Sequence, residues 1–169
     1  MEAERAYGRL AKMREAFLDA AVEQAKAGLA DNEGIPIGSV LVIDGAIVGR
    51  GYNKRVQKDN PILHAEMDCL ANAGRLRAKE YSQAALYTTL SPCDMCAGAI
   101  LLYKIPKVVI GENRTFRGPE SYLASRNVVL EIVDDAECFR LMQDFIMRHP
   151  ALWNEDIGMP FNGEVVKPT

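Results

Sequence analysis

Two short motifs in this chain together supply three metal donors and one additional carboxylate. The segment SPCDMC contains Cys93 and Cys96, and the upstream segment HAE contains His64 and Glu66. Two thiolates and an imidazole are a donor set that catalytic zinc uses while one coordination position stays open for water. Glu66 lies outside that set and is a candidate for moving protons. The fold must therefore bring two motifs that are distant in the sequence to one site.

The Cys-x-x-Cys motif by itself is as typical of a zinc knuckle or a redox pair as of a catalytic zinc site. A structural zinc site, however, takes four protein ligands. The sequence has no second Cys-x-x-Cys motif, and neither Cys69 nor His149, the other histidine, completes a set of four. These observations favour a catalytic zinc ion, with a zinc-stabilised interaction module as the non-enzymatic alternative.

Length and charge indicate one domain without a surface suited to polyanions. A chain of 169 residues can bury one core without disulfide support. We predict a single domain over residues 1–158 and a C-terminal tail over 159–169. The 20 basic and 23 acidic residues give a net charge of -3, and the basic residues form no block. A nucleic-acid partner is therefore not favoured.

The N-terminus and the cysteines predict an intracellular protein. The first residues lack the basic and apolar regions of a signal peptide, and no apolar run reaches membrane-spanning length. In such a chain the four cysteines are expected to be thiols or metal ligands rather than disulfides. We therefore expect a cytoplasmic protein with no membrane partner.

The first part of the chain has the pattern of a helix followed by a hairpin. Apolar residues recur at helical spacing over 3–26, and Gly28 is expected to close this helix. The β-rich runs 35–43 and 46–52 are separated by an Asp-Gly pair, a strong hairpin signal. These elements predict an amphipathic helix that covers two antiparallel strands.

A second helix is predicted to carry the HAE motif. After a polar loop over 53–59, Asn60 and Pro61 suit the cap and the first position of a helix. This helix is expected to end near Gly74. The prediction puts the histidine and the glutamate of the motif in its first turns.

The second half of the chain alternates strands with helices. Ser91 suits a helix cap and Pro92 the first helical position, which places both cysteines in the first turn. The other predicted elements are strands over 84–90, 107–110 and 127–132, a loop or short helix over 114–125, and a helix over 134–147. The pattern predicts an α/β fold, a three-layer α/β/α sandwich with a central mixed five-stranded sheet.

The motifs resemble those of the cytidine deaminase superfamily, and most closely those of its fungal-type cytosine deaminases. His-x-Glu followed by Pro-Cys-x-x-Cys is typical of zinc-dependent nucleobase deaminases. The similarity runs from the first helix to residue 158 and is carried by further segments: TTLSPCDMCAGAI at 88–100, GRGYN at 49–53, VIGEN at 109–113 and WNEDIG at 153–158. The resemblance implies a cytidine deaminase-like fold with one deaminase domain over 1–158.

The resemblance also implies a role for each residue of the site. One zinc ion per chain would be bound by His64, Cys93 and Cys96, while Glu66 would move protons. The remaining implied contacts hold the substrate: the side chains of Asn53 and Asp156 and the backbone of Ala65 and Ser91 at the polar edge of a base, Phe116 and Trp153 on its faces, and Ile37 in the pocket wall.

The implied activity is hydrolysis of the C–N bond of a cyclic amidine in a free nucleobase. Cytosine would give uracil and ammonia, a step of pyrimidine salvage. The same zinc motif also serves deaminases of guanine and of adenosine in tRNA, and these stay as alternatives. Ala65, Tyr52 and Asn154 replace a glycine, a histidine and an aromatic residue that are familiar in the fungal enzymes, so the motifs leave the preferred base open.

Residues 97–103 predict an interface between two copies of the chain. The sequence AGAILLY is apolar on every side of its predicted helix, and such helices are buried all round. A sheet covers only one side of a helix. We therefore predict a homodimer, which the resemblance also implies.

Overall fold

A five-stranded sheet lies at the centre of the fold in this computed structural model. The structure describes residues 1–161 and 163. The strands are β1 (Gly38–Ile43), β2 (Ala46–Tyr52), β3 (Ala84–Leu90), β4 (Lys107–Glu112) and β5 (Val129–Ile132). The helices of the described chain are α1 (Glu2–Ala30), α2 (Arg55–Lys58), α3 (Ala65–Ala73), α4 (Ala78–Tyr81), α5 (Asp94–Tyr103), α6 (Glu120–Ser125), α7 (Ala136–Arg148) and α8 (Pro150–Asp156).

The sheet is mixed, with the strand order β2-β1-β3-β4-β5. β1 pairs antiparallel with β2 and with β3, whereas β4 pairs parallel with β3 and with β5. Asp44 and Gly45 join β1 to β2 with positive φ at both residues, as a tight hairpin turn requires. The predicted hairpin and mixed five-stranded sheet are confirmed. Ligands of such sheets gather beyond the carboxyl ends of the parallel strands, which is where β3 delivers the Pro-Cys segment.

Alternate residues of each strand pack against helices on opposite faces of the sheet. On one face Val40 and Val109 pack with Leu18 of α1 and Leu141 of α7. On the other face the core contains residues of α3 to α6 together with the next residues of the same strands: Leu41, Cys69, Leu70, Tyr81, Leu86, Ile100, Val108 and Leu123. The three-layer arrangement predicted from the sequence is therefore confirmed.

The prediction that Gly28 closes the first helix is wrong. The helix continues to Ala30, with Asp31 as its C-cap. A β-carbon on Gly28 would lie 2.9 Å from a ring carbon of Tyr52. This glycine therefore gives room for an aromatic ring, and the positive-φ residues that redirect the chain follow at Asn32 and Glu33.

The predicted helix start at Asn60 and Pro61 is also wrong. His64 is the N-cap of α3, with φ -66° and ψ 163°. Residues 60–63 form a turn, because the Leu63 carbonyl accepts a hydrogen bond from the Lys54 amide (2.8 Å) and the Asn60 side chain accepts one from the Ile62 amide. The segment 53–59, which was predicted to be a loop, contains the short helix α2.

Ser91 and Pro92 do not begin α5, contrary to the prediction. Cys93 is the N-cap and the helix starts at Asp94. The Ser91 amide donates to the Glu112 carbonyl (3.0 Å) and its hydroxyl donates to Glu120 (2.8 Å). These bonds tie the residue to β4 and α6, so it cannot cap a helix.

Two short helices and the chain terminus complete the description. The sequence did not predict α4 or α8, and α8 follows α7 immediately after His149, with Pro150 as its first residue. Of the predicted tail 159–169, only 159–161 and 163 belong to the described residues. Among the helices described, none is both long and apolar enough to cross a bilayer.

Candidate metal centre and active site

Three donor atoms from two helix N-termini meet at one point. His64 is the N-cap of α3, Cys93 is the N-cap of α5, and Cys96 lies in the first turn of α5. One donor atom from each lies within 4.8 Å of the others, and Cys93 Sγ is 3.4 Å from His64 Nδ1. Tetrahedral zinc with ordinary bond lengths separates sulfur and nitrogen ligands by about 3.6 Å. The donors therefore fit a zinc ion.

The electrostatics of these donors favour a cation between them. The hydrogen bond with Cys96 lowers the pKa of Cys93 to about 4 although burial raises it, and His64 lowers it further. The same bond and burial raise the pKa of Cys96. Burial lowers the pKa of His64, but Cys93 and Asp156 raise it to about 9. Of the three side chains, His64 and Cys96 therefore hold protons near neutral pH in the absence of a metal ion, and a metal ion that binds them displaces these protons.

Glu66 lies beside the metal donors in the interior. Its Oε1 accepts a hydrogen bond from the Thr88 hydroxyl (3.0 Å), and its Oε2 accepts one from Cys96 Sγ (3.3 Å). The residue is only 4 % exposed. Burial, followed by the charge of Cys93, raises the pKa of the Glu66 carboxyl. A carboxyl with a raised pKa in a pocket can both accept and return a proton near neutral pH.

The polar end of the site consists of an amide and a carboxylate that lie 103 residues apart in the sequence. Asn53 Nδ2 donates to Asp156 Oδ1 (2.8 Å), and Asn53 Oδ1 accepts from the Arg55 amide (3.1 Å). The Arg55 guanidinium lies 3.4 Å from the same Asp156 oxygen. His64 Nε2 is 3.6 Å from it, too far for a hydrogen bond but close enough for the charges to interact. Asn53 is fully buried.

The walls of the pocket are largely apolar. Phe116 and Trp153 meet edge to face, with ring centroids 5.9 Å apart and planes at 85°. Ala65, at the start of α3, is buried in the same apolar cluster as Ile37 and Trp153. The cavity contains about 270 Å³ of empty space, part of it open to solvent, and its lining comprises Ile37, His64, Glu66, Leu90, Ser91, Cys93, Phe116, Trp153, Asp156 and Ile157.

The structure thus gathers the predicted site residues around one cavity. Eight of them line the cavity directly, Cys96 lies among the metal donors, Asn53 reaches it through Asp156, and Ala65 is buried beside it. The sequence interpretation missed Thr88, Leu90 and Arg55. For Leu90 and Thr88 the signal was available, because they are the last residues of the strand that leads into the Pro-Cys motif. Arg55 gave no signal, since its partners lie about a hundred residues away.

Comparison with known proteins places this site in a described family. The family model of the cytidine and deoxycytidylate deaminase zinc-binding region matches residues 11–112, which include all three metal donors and Glu66. The cytosine deaminase of Candida albicans is 49% identical over 142 residues, covering 83% of this chain and 94% of that protein. These findings confirm the resemblance that the motifs suggested, and they confirm zinc as the family's metal.

Other relatives are named for different substrates. A tRNA-specific adenosine deaminase of Streptococcus pyogenes serotype M18 is 37% identical over 142 residues, covering 76% of this chain and 87% of that protein. The structure of a guanine deaminase from Bacillus subtilis superposes with a TM-score of 0.50 and 32% identity, covering 68% of this chain and 70% of that one. The charge argument alone therefore does not remove nucleic acid from consideration. By motif, fold and similarity, the chain belongs to the family of deaminases that carry the cytidine and deoxycytidylate deaminase zinc-binding region.

Proposed function

We propose that this protein deaminates a free nucleobase, cytosine first, to uracil and ammonia. The observation that carries the proposal is the buried pair of Asn53 and Asp156 across a small cavity from Glu66 and the metal donors. The aromatic walls and the buried polar pair at one end suit a planar heterocycle with a polar edge. The similarity to a cytosine deaminase over most of both chains supports the same choice.

In this proposal His64, Cys93 and Cys96 hold one zinc ion per chain. When bound there, zinc supplies the Lewis acidity that makes water a nucleophile near neutral pH. Three protein ligands would leave one coordination position for water, as in catalytic zinc sites. Asp156, near the other ring nitrogen of His64, keeps the histidine oriented and its charge balanced.

Glu66 is the proton carrier. Its carboxylate takes a proton from the attacking water and delivers it to the ring nitrogen next to the amino-bearing carbon. A second proton then passes through Glu66 to the amino group, so that one water is added and one ammonia leaves. The hydrogen bond from Thr88 fixes one carboxylate oxygen, and this restricts the direction in which the other can move protons.

Asn53 and Asp156 hold the polar edge of the base, assisted by the backbone of Ala65 and Ser91. The Asp156 carboxylate accepts a hydrogen bond from the ring N–H that a nucleoside lacks. Asn53 donates to one oxygen of this buried carboxylate, and leaving the other oxygen without a donor costs about 1 to 3 kcal/mol or more, so a sugar at that nitrogen is disfavoured. Arg55 supports the carboxylate from outside the cavity.

Phe116, Trp153 and Ile37 form the apolar surfaces around the ring. Because the two aromatic planes stand at 85°, one ring can lie parallel to a planar base while the other contacts its edge. Ile37 packs in one cluster with Trp153. These contacts exclude water from the reacting carbon.

A substrate panel tests the proposal. Purified protein with measured zinc content is assayed for ammonia release from cytosine, cytidine, guanine, adenine and tRNA. We expect cytosine to have the highest kcat/KM and cytidine to be far poorer. Faster turnover of guanine or of adenosine in tRNA would assign the site to one of those substrates instead. Zinc-loaded protein without ammonia release from any of them would indicate the zinc-stabilised interaction module.

We also propose that the chain is a homodimer. The exposed face of α5 and its neighbour α6 supports this, because Leu102 is 72% exposed and Tyr122 51% exposed. Both residues border one groove, so the apolar surface of the helix is not covered by the chain's own sheet. An apolar patch of this kind commonly marks an interface.

We further propose that residues 1–158 are one deaminase domain that works in the cytoplasm. The single sheet, with core clusters on both of its faces, supports one domain. All four cysteines are free thiols, and two of them must stay reduced to bind zinc, as in a reducing compartment. Localisation of a tagged chain by microscopy tests the second statement.

A further inference from the structure

One carboxylate outside the cavity holds the chain on both sides of Asn53. Asp68 Oδ2 accepts a hydrogen bond from the backbone amide of Tyr52 at 3.2 Å. Its two oxygens also lie 3.0 and 2.8 Å from Nζ of Lys54. Tyr52 immediately precedes Asn53 and Lys54 immediately follows it, so Asp68 fixes both neighbours of an asparagine that itself is fully buried.

The contact between Lys54 and Asp68 is of the strong kind, whereas the bond from the Tyr52 amide, at 3.2 Å, is longer. The side chain of Asp68 is 7% exposed and that of Lys54 is 20% exposed. Charged hydrogen bonds that are shielded from water are shorter and stronger than neutral ones. Asp68 also lies in the first turn of α3, where the helix dipole stabilises a negative charge.

Asp68 is anchored on the helix that carries the catalytic residues. Its amide donates to the His64 carbonyl at 2.9 Å, and Glu66 lies two residues earlier on the same helix. The end of β2 approaches this helix so closely that a β-carbon on Gly51 would lie 2.7 Å from the Ala65 carbonyl oxygen. The strand that leads to Asn53 and the helix that presents Glu66 therefore meet backbone to backbone, and Asp68 is a charged link between them.

Lys54 extends the link to the residue before the metal donor. Its amide donates to the Leu63 carbonyl at 2.8 Å, and Leu63 directly precedes His64. Its ammonium also lies 4.7 Å from the ring centre of Tyr52, a cation–π contact. Three hydrogen bonds thus connect the segment 52–54 with α3 and the residue just before His64. The Tyr52 amide and the Lys54 ammonium donate to Asp68, and the Lys54 amide donates to Leu63.

We propose that Asp68, together with Lys54, is a positioning residue that fixes Asn53 relative to Glu66 and the metal donors. Asp68 does not touch the cavity and takes no part in the chemistry. It sets the distance between the group that holds the edge of the base and the groups that react with it. The proposal rests on the proposed role of Asn53 in binding the base.

The test compares Asp68→Asn and Lys54→Met with Lys107→Met. The last variant removes another Lys–carboxylate contact, with Glu131 at 2.9 Å, between β4 and β5 and away from the segment 52–54. Zinc content and unfolding by urea are measured for each variant. Steady-state kinetics with cytosine and hydrogen exchange at the amides of residues 52–54 then report on the site.

Small displacements of a binding group are costly, so we expect Asp68→Asn to lose roughly 10- to 100-fold in kcat/KM. The loss should fall mainly on KM, with zinc content unchanged. Lys54→Met should lose less in the same direction, and Lys107→Met should stay within about twofold of wild type because exposed ion pairs contribute little. The amides of Tyr52 and Lys54 should exchange faster in Asp68→Asn than in Lys107→Met.

Two results would overturn the proposal. One is an Asp68→Asn enzyme with wild-type kcat/KM and reduced stability, which would make Asp68 structural alone. The other is unchanged amide exchange over 52–54. If wild-type protein does not turn over cytosine, the proposed function fails by itself, and the exchange comparison still decides whether Asp68 fixes the segment.

Discussion

Glu66 differs from the three metal donors in its contacts. A single substitution can therefore separate its proposed role in proton transfer from metal binding. Glu66→Gln keeps the size of the side chain and its hydrogen bond with Thr88, but it cannot take up a proton. We expect zinc content to remain at one ion per chain while kcat falls roughly 10²- to 10⁴-fold, the usual contribution of an acid–base group. Metal analysis and ammonia release measure the two quantities. Loss of zinc from a folded variant would instead make Glu66 a ligand.

Asp156 and its neighbour Glu155 form a matched pair for testing substrate recognition. Both interact with the Arg55 guanidinium, but only Asp156 is buried against Asn53. Because hydrogen bonds to charged groups contribute about 1.5 to 3 kcal/mol, Asp156→Ala should lower kcat/KM for cytosine by roughly 10- to 100-fold. Glu155→Gln, 66% exposed in its side chain, should leave it almost unchanged. Equal effects of the two substitutions would contradict a direct contact between Asp156 and the base.

Among the elements, β2 and α3 depend on a glycine at their contact. A β-carbon on Gly51 would collide with the backbone of α3, and forcing extra atoms into a packed core costs about 1 to 3 kcal/mol. We expect Gly51→Ala to lower the free energy of unfolding by that amount in urea titrations. Gly8→Ala is the control, because no atom of the described part of the chain lies within 4 Å of a β-carbon at that helical position. It should leave stability unchanged or raise it by up to ~1 kcal/mol.

Glu131 adds side-chain ion pairs to the backbone pairing between β5 and β4, and this contribution depends on pH. Hydrogen bonds from Lys107 of β4, and secondarily from Arg14 of α1, hold the pKa of the Glu131 carboxyl below its ordinary value of 4.5. A lowered folded-state pKa stabilises the fold above the unfolded-state pKa, and this stabilisation is lost as pH falls through the folded-state pKa. Glu131→Gln should therefore cost up to ~1 kcal/mol at neutral pH.

Well below pH 4.5 the difference between Glu131→Gln and wild type should vanish, because both side chains are then neutral. Urea unfolding at a series of pH values measures it. Glu15→Gln, an exposed substitution on α1, is the control for a general effect of removing a carboxylate. A stability difference that persists unchanged into acid would show that the stabilisation by Glu131 does not come from its charge.

The elements also show which parts of this structure a sequence can reveal. Hairpin, sheet and metal donors were predictable because their signals are local: an Asp-Gly turn, β-branched runs and a Cys-x-x-Cys spacing. The start of α3 was not, because Asn60 and Pro61 have the chemistry of a helix start, but the bonds from Lys54 to Leu63 and from Ile62 to Asn60 hold a turn there instead. Arg55 and Asp68 were missed for the same reason, since each acts on partners that no spacing in the chain connects.

For the whole molecule, the exposed face of α5 predicts the oligomeric state. Leu102→Asp places a charge at the most exposed apolar position of that helix. We expect sedimentation velocity at micromolar concentration to change from a dimer to a monomer, because burying an unpaired carboxylate opposes association. Met147→Asp, at a residue of α7 with 70% exposure, should remain a dimer. A wild-type chain that sediments as a monomer would contradict the interface.

The position of α8 at the end of the chain has a consequence for biosynthesis. His64, Glu66, Cys93 and Cys96 have all left the ribosome long before Trp153 and Asp156 are made. The growing chain therefore contains all of its zinc donors before Trp153 and Asp156, which line the far side of the cavity, have been made. In the proposed function, metal capture and base recognition are thus separated in time during synthesis, and a ribosome stalled within α7 would display a nascent chain with all of its zinc donors but without Asp156.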